Sequence, residues 1–295
     1  MNASLPKNGI AIKLIITDVD GTFLPKTRTL TPRTHEALRL LAEHNIPVVL
    51  ASSRPVRGMQ FILEEAGFLA DLATFASLPV VSMNGALITT VGGATLFSSD
   101  LEAAILQRIY TLVADLANAT HAPQRLNVML LDAAEWWSSG VDDLVRREQA
   151  SLRIAPIIAE SREEKDAFLR RLERSANKVT LLGEAEAISI AKERIYAEFG
   201  DTLAISSPFN PRFLDITAQN VHKGTAVSFV GQYFGIETQY ICALGDGEND
   251  VDMFRVAGTS IAMGHASDAV KEAAIHRTES HSEDGWANAI FRLFS

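Results

Sequence analysis

Apolar and polar positions along this chain alternate between two periods. Leu14-Ile15-Ile16 is a continuous apolar run that stops at Asp18-Val19-Asp20-Gly21, the pattern of a buried strand entering a tight polar turn. A helix follows, with Thr31 as N-cap, Pro32 at the first helical position, and Ala37, Leu38, Leu41 and Ala42 at helical spacing. Ile46 to Ala51 predicts a second buried strand, Pro55 to Ala66 a second helix stopped by Gly67, and Val80-Val81-Ser82 a third strand. Parallel strands need crossover connections, and this alternation of strand and helix supplies them.

The period changes after Gly85. Ala86 to Thr90 and Ala94 to Phe97 flank Val91-Gly92-Gly93, a hairpin signal and the expected start of a new domain. From Leu101 to Leu116 the apolar positions share one helical face, and helices expected at Arg162 to Arg174 and Glu186 to Phe199 alternate with strands at Lys178 to Leu182 and Thr202 to Ser206. Beyond the linker candidate Ser207-Pro208-Phe209-Asn210-Pro211 the first pattern resumes. A strand is expected near Phe213 to Ile216, a helix at Lys223 to Phe234, a strand at Tyr240 to Leu244 and a helix at Asn249 to Val256. The expectation is a core of residues 1–86 and 211–295 interrupted by an inserted domain of residues 87–210. At 295 residues, two lobes fit better than one core.

Composition narrows the function classes. With 47% hydrophobic and 21% charged residues the chain can bury a substantial core, so disorder is not expected. A formal charge of −9 argues against a nucleic-acid surface, which needs clustered Lys and Arg. A phosphorylated ligand would therefore need local positive charge from a metal or a few placed cations. Cys242, the single cysteine, sits in an apolar strand pattern and cannot form an intrachain disulfide. Met1 to Gly9 has no apolar stretch of signal-peptide length, and no run of about 18 apolar residues suits a membrane span. The expectation is a cytoplasmic protein with no membrane or nucleic-acid partner.

Two acidic clusters carry the candidate chemistry. Asp18 and Asp20 stand at the end of the first strand, and Gly245-Asp246-Gly247-Glu248-Asn249-Asp250 follows another apolar strand in the same way. Open α/β sheets place ligands at the carboxyl ends of their strands, so both clusters could face one crevice. Converging carboxylates repel, and a hard cation with oxygen ligands, such as Mg²⁺, relieves them. Taken singly, each cluster reads more readily as a mere Asp-Gly turn. An EF-hand loop fails for lack of its third ligand and its glycine, and a dinucleotide fingerprint fails because Asp250 takes the third glycine position. Ser52-Ser53-Arg54 after the second strand and Lys223-Gly224 at a helix start add a hydroxyl donor and cations suited to a phosphoryl group. Trp136-Trp137 could stack on a sugar or aromatic ring, though such a pair is more often core. His222 and His265 flank motif residues and receive no role.

Taken together, these motifs resemble the haloacid dehalogenase superfamily, in its Cof-type, class IIB branch of capped phosphatases. The resemblance rests on Asp18-Val19-Asp20-Gly21-Thr22-Phe23-Leu24, Ser52-Ser53-Arg54-Pro55, Ser82-Met83-Asn84-Gly85-Ala86, Lys223-Gly224, the cluster from Gly245 to Asp250, and Ala262-Met263-Gly264-His265-Ala266. The tail Glu283-Asp284-Gly285-Trp286-Ala287 resembles that family's closing helix. The resemblance implies a doubly wound, Rossmann-like α/β core with an inserted α/β cap of the C2B type, acting on a small phosphorylated metabolite. It implies Asp18 as nucleophile and Asp20 as acid and base, with Mg²⁺ held by the Asp18 side chain, the Asp20 backbone carbonyl and the Asp246 side chain, and with Asp250 as a ligand through water or as a group that orients the others. Ser52, Ser53 and Arg54 would meet the phosphoryl group, with Lys223 offsetting charge and Asn249 and Asn84 near the site. The family often has glycine where Ser53 stands, which bears on how closely that backbone approaches phosphate. A phosphomutase of the same superfamily and a noncatalytic metabolite sensor on the same fold are the competing expectations.

Overall fold

The computed structural model describes residues 11–119, 126–207 and 210–294. In chain order its strands are β1 (Leu14–Asp18), β2 (Val48–Ala51), β3 (Pro79–Ser82), β4 (Leu87–Thr90), β5 (Thr95–Ser98), β6 (Asn127–Leu131), β7 (Trp136–Ser138), β8 (Ile157–Ile158), β9 (Lys178–Leu182), β10 (Leu203–Ser206), β11 (Phe213–Ala218), β12 (Ile241–Gly245), β13 (Thr259–Ala262) and β14 (His276–Arg277). They form two sheets in two compact units. One unit runs to Ser53, resumes over Gln60–Leu96 and finishes from His222, and the other comprises Arg54–Met59 and Phe97–Val221.

The first sheet has the order β14-β13-β12-β1-β2-β3-β4-β5. β1 pairs in parallel with β12 on one side and β2 on the other. The strand order therefore reverses at β1, which opens a crevice at its carboxyl end. Every residue of β1, β2, β3, β12 and β13 is buried, as a parallel sheet with both faces covered requires. Burying a Leu or Ile side chain stabilises the fold by about 1.5–3 kcal/mol, so Leu14, Ile15 and Ile16, each 0% exposed, anchor the strand that ends at Asp18. Cys242 is fully buried within β12.

Local signals set the flanking helices. Thr31 Oγ1 accepts the Thr34 N–H at 3.1 Å and caps the helix Pro32–Glu43. The helix Lys223–Phe234 ends at Gly235, whose φ of +66° suits glycine. The helix predicted from Pro55 breaks into a tight turn over Val56–Met59 and a short helix Gln60–Glu65. Gly58 donates its N–H to Pro55 O, three residues back, at 2.9 Å, which closes a 3₁₀ turn where a proline and a glycine weaken the α-helix.

The second sheet has the order β10-β11-β9-β6-β7-β8, antiparallel apart from the β7–β8 pair. Alternation separates its faces. Val179 and Leu181 of β9 join Val128, Leu130, Leu214, Ile216, Ile109, Phe168 and Ile188 in an apolar core. Lys178 and Thr180 project the other way, where they bond the two carboxylate oxygens of Asp215 at 3.0 and 2.6 Å. Trp136 is buried with its indole N–H on Met129 Sδ at 3.1 Å, while Trp137 packs against the core and donates to Glu135 at 2.9 Å.

Two segments join sheets other than those expected. The hairpin after Gly85 extends the first sheet, since β4 pairs with β3 in antiparallel register. The strand expected to resume the first pattern at Phe213 is β11, which pairs with β9 and β10 and sends Leu214 and Ile216 into the second core. Its apolar alternation is the same whichever sheet receives it. Pro208 and Phe209 of the expected linker, and Met1 to Gly9, lie outside the described residues. Among the described residues no helix is long and apolar enough to cross a membrane.

Candidate active site

Four strands of the first sheet end at one crevice. Asp18 is the last residue of β1, Ser52 follows β2, Met83-Asn84-Gly85 follows β3, and Asp246 follows β12. The strand-to-helix turn after β12 contributes Asn249 and Asp250, and Lys223 opens the helix Lys223–Phe234.

A buried cation stands between two of the acids. Lys223 Nζ lies 2.5 Å from Asp18 Oδ1 and 2.7 Å from Asp250 Oδ1, and Lys223 is 1% exposed. The other oxygen of Asp250 accepts the backbone N–H groups of Asp246 and Gly247, both at 2.9 Å. Asp250 thus ties Lys223 to the loop that carries Asp246. Thr22 Oγ1 donates to Asp246 Oδ1 at 2.7 Å, and His265 Nε2 lies 3.0 Å from Asp246 Oδ2. Gly21 is required between these groups, because at φ +86° an added Cβ would stand 2.5 Å from Asp246 Oδ2.

Burial is the largest single influence on these groups, and neighbouring charges come next. Burial, then repulsion from Asp250, pushes the Asp18 carboxyl well above the usual carboxylate range, with Lys223 pulling the other way. Burial followed by the Asp250 charge raises Asp246 to about 7, against the Thr22 hydrogen bond and Lys223. Burial disfavours the Lys223 ammonium, but Asp18 and Asp250 outweigh it and lift its pKa above the ordinary lysine value. The His265 imidazole is lowered by burial and by the nearby Lys26 and Lys271.

Asp18, Asp246 and Asp250 each offer one oxygen, and these atoms lie within 4.8 Å of one another. Among the described residues they are the one such group of potential metal ligands. An all-oxygen, buried, acidic donor set with a single lysine against three carboxylates fits a hard divalent cation such as Mg²⁺.

The other candidates are placed as follows. Ser52 is buried, its O accepts the Asn84 N–H at 3.0 Å, and Ser53 is half-buried. Met83 and Asn84 both adopt left-handed backbone, φ +50° and +58°, and Asn84 Oδ1 accepts from Asn249 Nδ2 at 3.0 Å. These two asparagines, 165 residues apart, therefore meet. Asp20 is exposed in the turn after β1, and it forms a bridge with Leu24. Arg54 is buried in the second unit, where its guanidinium donates to Ser151 O at 2.9 Å.

Three supporting residues escaped sequence reasoning. Thr22 lay inside a quoted motif without a role. The His265 contact to Asp246 spans 19 residues and has no periodic signal. Trp286 donates its indole N–H to Thr17 Oγ1 at 3.1 Å and packs edge-on against Phe23 at 4.9 Å, so the closing helix braces the residue before Asp18.

Comparison with known proteins agrees with this architecture. The sequence pattern of the haloacid dehalogenase-like hydrolases matches residues 15–290. A Haemophilus influenzae protein provisionally named a phosphatase is 28% identical over 284 residues, 96% of this chain and 98% of its own. The crystal structure of a haloacid dehalogenase-like hydrolase from Bacteroides thetaiotaomicron superposes with a TM-score of 0.79 at 27% identity, covering 96% of this chain and all 100% of that one. A class IIB sugar phosphatase structure superposes at 0.77 with 22% identity, over 95% and 98% of the two chains, and so shares the fold. The chain belongs to the haloacid dehalogenase-like hydrolases and has the class IIB architecture, a parallel-rich α/β core with an inserted α/β cap.

Proposed function

We propose that this enzyme, a phosphatase of the haloacid dehalogenase family, hydrolyses a small phosphomonoester through a phosphorylated Asp18, with Mg²⁺ as its metal. The observation that carries this reading is the buried contact of Lys223 with both Asp18 and Asp250, beside Asp246, at the carboxyl edge of the sheet. A purely structural cluster would have no need of three carboxylates around one ammonium, since desolvating the surplus charge costs several kcal/mol per ion.

Asp18 attacks phosphorus in line with the leaving oxygen, so one Asp18–phosphorus bond forms as the ester P–O bond breaks. Asp20 donates its proton to the departing alkoxide and then accepts one from water, whose oxygen attacks the same phosphorus. The Asp18–phosphorus bond breaks, inorganic phosphate leaves, and both aspartates return to their starting state. Asp20, exposed on the turn after β1, has the solvent contact that two proton transfers ask of it. The Asp18 and Asp246 side chains and the Asp20 backbone carbonyl would hold Mg²⁺, with Asp250 orienting the loop. When bound, the metal supplies the positive charge that lets carboxylates and phosphoryl oxygens approach.

Lys223 favours the ionised form of Asp18, against burial and Asp250, and offsets charge on the phosphoryl group. Ser52, Ser53, Asn84 and Asn249 line the phosphate side, and backbone N–H groups of the loop after β2 add donors. Arg54 is assigned to support that loop. The inserted unit is assigned the cap, where substrate choice would reside. Sugar phosphates and related phosphomonoesters are the substrates to try first.

The test is phosphate release with Mg²⁺ from p-nitrophenyl phosphate and a panel of sugar phosphates, for wild type and Asp18→Asn. The variant should fold normally and lose turnover by on the order of 10⁴-fold or more. Wild-type rates in Asp18→Asn would overturn the nucleophile. Turnover only with a bisphosphate activator, without free phosphate, would make the enzyme a mutase.

A further inference from the structure

Asp246 is buried, and hydrogen bonds hold its carboxylate. Thr22 Oγ1 holds Oδ1 at 2.7 Å and His265 Nε2 stands 3.0 Å from Oδ2. On the Oδ2 flank Gly21 presents no side chain, and an added Cβ there would stand 2.5 Å from that oxygen. His265 is itself located by its surroundings. Gly264 N–H donates to Glu279 O at 3.1 Å, and a Cβ on Gly264 would stand 2.8 Å from Thr278 O, so glycine lets the two segments close. That closure brings the His281 main-chain N–H and the Ser280 hydroxyl to 3.4 Å from His265 Nδ1, with the His281 ring edge-on at 4.5 Å.

A main-chain N–H can only donate, so Nδ1 is the accepting nitrogen and the proton sits on Nε2, aimed at Asp246. We propose that His265 is a positioning residue for the metal-ligating carboxylate. Its Nε2–H fixes the rotation of Asp246, and the segment at 280–281 fixes the tautomer and angle of the ring. The assignment rests on reading Asp246 as a metal ligand, and it adds a partner in the outer layer of that site, where substitutions typically cost 10–100-fold in metal affinity.

The test is Mn²⁺ binding to the metal-free full chain, followed by electron paramagnetic resonance at one fixed pH, without substrate. His265→Gln and His265→Met have unbranched side chains of similar length, and only the glutamine carries an N–H that can reach Asp246. His265→Met should weaken Mn²⁺ by roughly 10–100-fold, and His265→Gln should stay within about threefold of wild type. Metal-free thermal midpoints should agree among the three. Wild-type affinity in His265→Met would overturn the proposal, as would a His265→Gln variant no better than methionine. If His265→Met does not fold, His265→Ala against His265→Gln makes the same comparison. Asp246→Asn should lose Mn²⁺ outright, and wild-type binding in that variant would bring down the ligand reading of Asp246 whatever His265 does.

Discussion

Lys223 Nζ lies 2.7 Å from Asp250 Oδ1, and the pair is shut away from solvent together with Asp18. Removing one member of such a group strands the charges that remain. Lys223→Met should therefore destabilise the metal-free protein by about 3–5 kcal/mol, because Asp18 and Asp250 would stay buried without their cation. It should also abolish turnover. Denaturant unfolding, read as a shift in midpoint at constant slope, checks the first expectation, and an unchanged midpoint would show that Lys223 does not neutralise the cluster.

Asp246 gives the site a pH signature. Its carboxyl is raised to about 7 in the metal-free fold, from an ordinary value of 3.8. Between those values the folded state holds a proton that the unfolded chain releases. The stabilisation from this group is therefore complete below pH about 4 and lost as pH rises through about 7. Metal binding needs the ionised form, so it runs the other way. For one displaced proton, Mg²⁺ or Mn²⁺ should bind about tenfold more weakly at pH 6 than at pH 8. At a hundred times Kd the ion should add about 2.7 kcal/mol of stability. Titrations at the two pH values decide it, and a pH-independent affinity would refute the coupling.

The sequence made the ends of the strands readable, and the pairings between them far less so. A buried run followed by acidic residues marks Asp18 and Asp246 without any knowledge of where the strands go, and the parallel pairing of β1 with β12 then sets them side by side. Lys223 was likewise visible as the first residue of a well-patterned helix. By contrast, β11 has an alternation that satisfies either sheet, so its membership of the second depends on long-range packing of Leu214 and Ile216. Arg54 sits beside Ser52 and Ser53 in sequence, yet its guanidinium meets the carbonyl of Ser151, 97 residues away. The role of His265 was illegible for the same reason. Its partner is chosen by the closure of two loops around Gly264, which no local period encodes.

Asp20 should matter in proportion to the leaving group. Nitrophenolate departs readily without a proton, whereas a sugar alkoxide does not. Asp20→Asn should slow a sugar phosphate by roughly 10²–10⁴-fold and p-nitrophenyl phosphate much less in the phosphorylation step. Single-turnover rates for both substrates measure that step apart from later hydrolysis. Equal losses would remove the acid role from Asp20.

Gly21 and Gly67 separate backbone strain from site geometry. Both have left-handed backbone, with φ of +86° and +83°. An alanine at either position meets the cost of that conformation, about 1–2 kcal/mol for a residue with a Cβ. Around Gly67 nothing stands within 4 Å of the added carbon, so Gly67→Ala should lower stability by that amount and leave turnover and Mn²⁺ affinity as they are. At Gly21 the same carbon would stand 2.5 Å from Asp246 Oδ2 and 3.2 Å from its Cγ. The carboxylate cannot swing aside without giving up Thr22 on one oxygen or His265 on the other. Gly21→Ala should therefore cost similar stability but lose metal affinity and activity by at least tenfold. Thermal unfolding and Mn²⁺ titration of the two variants, taken side by side, separate the effects. If Gly21→Ala kept full metal affinity, the Asp246 carboxylate would have to be free to turn, contrary to the hydrogen bonds that hold it.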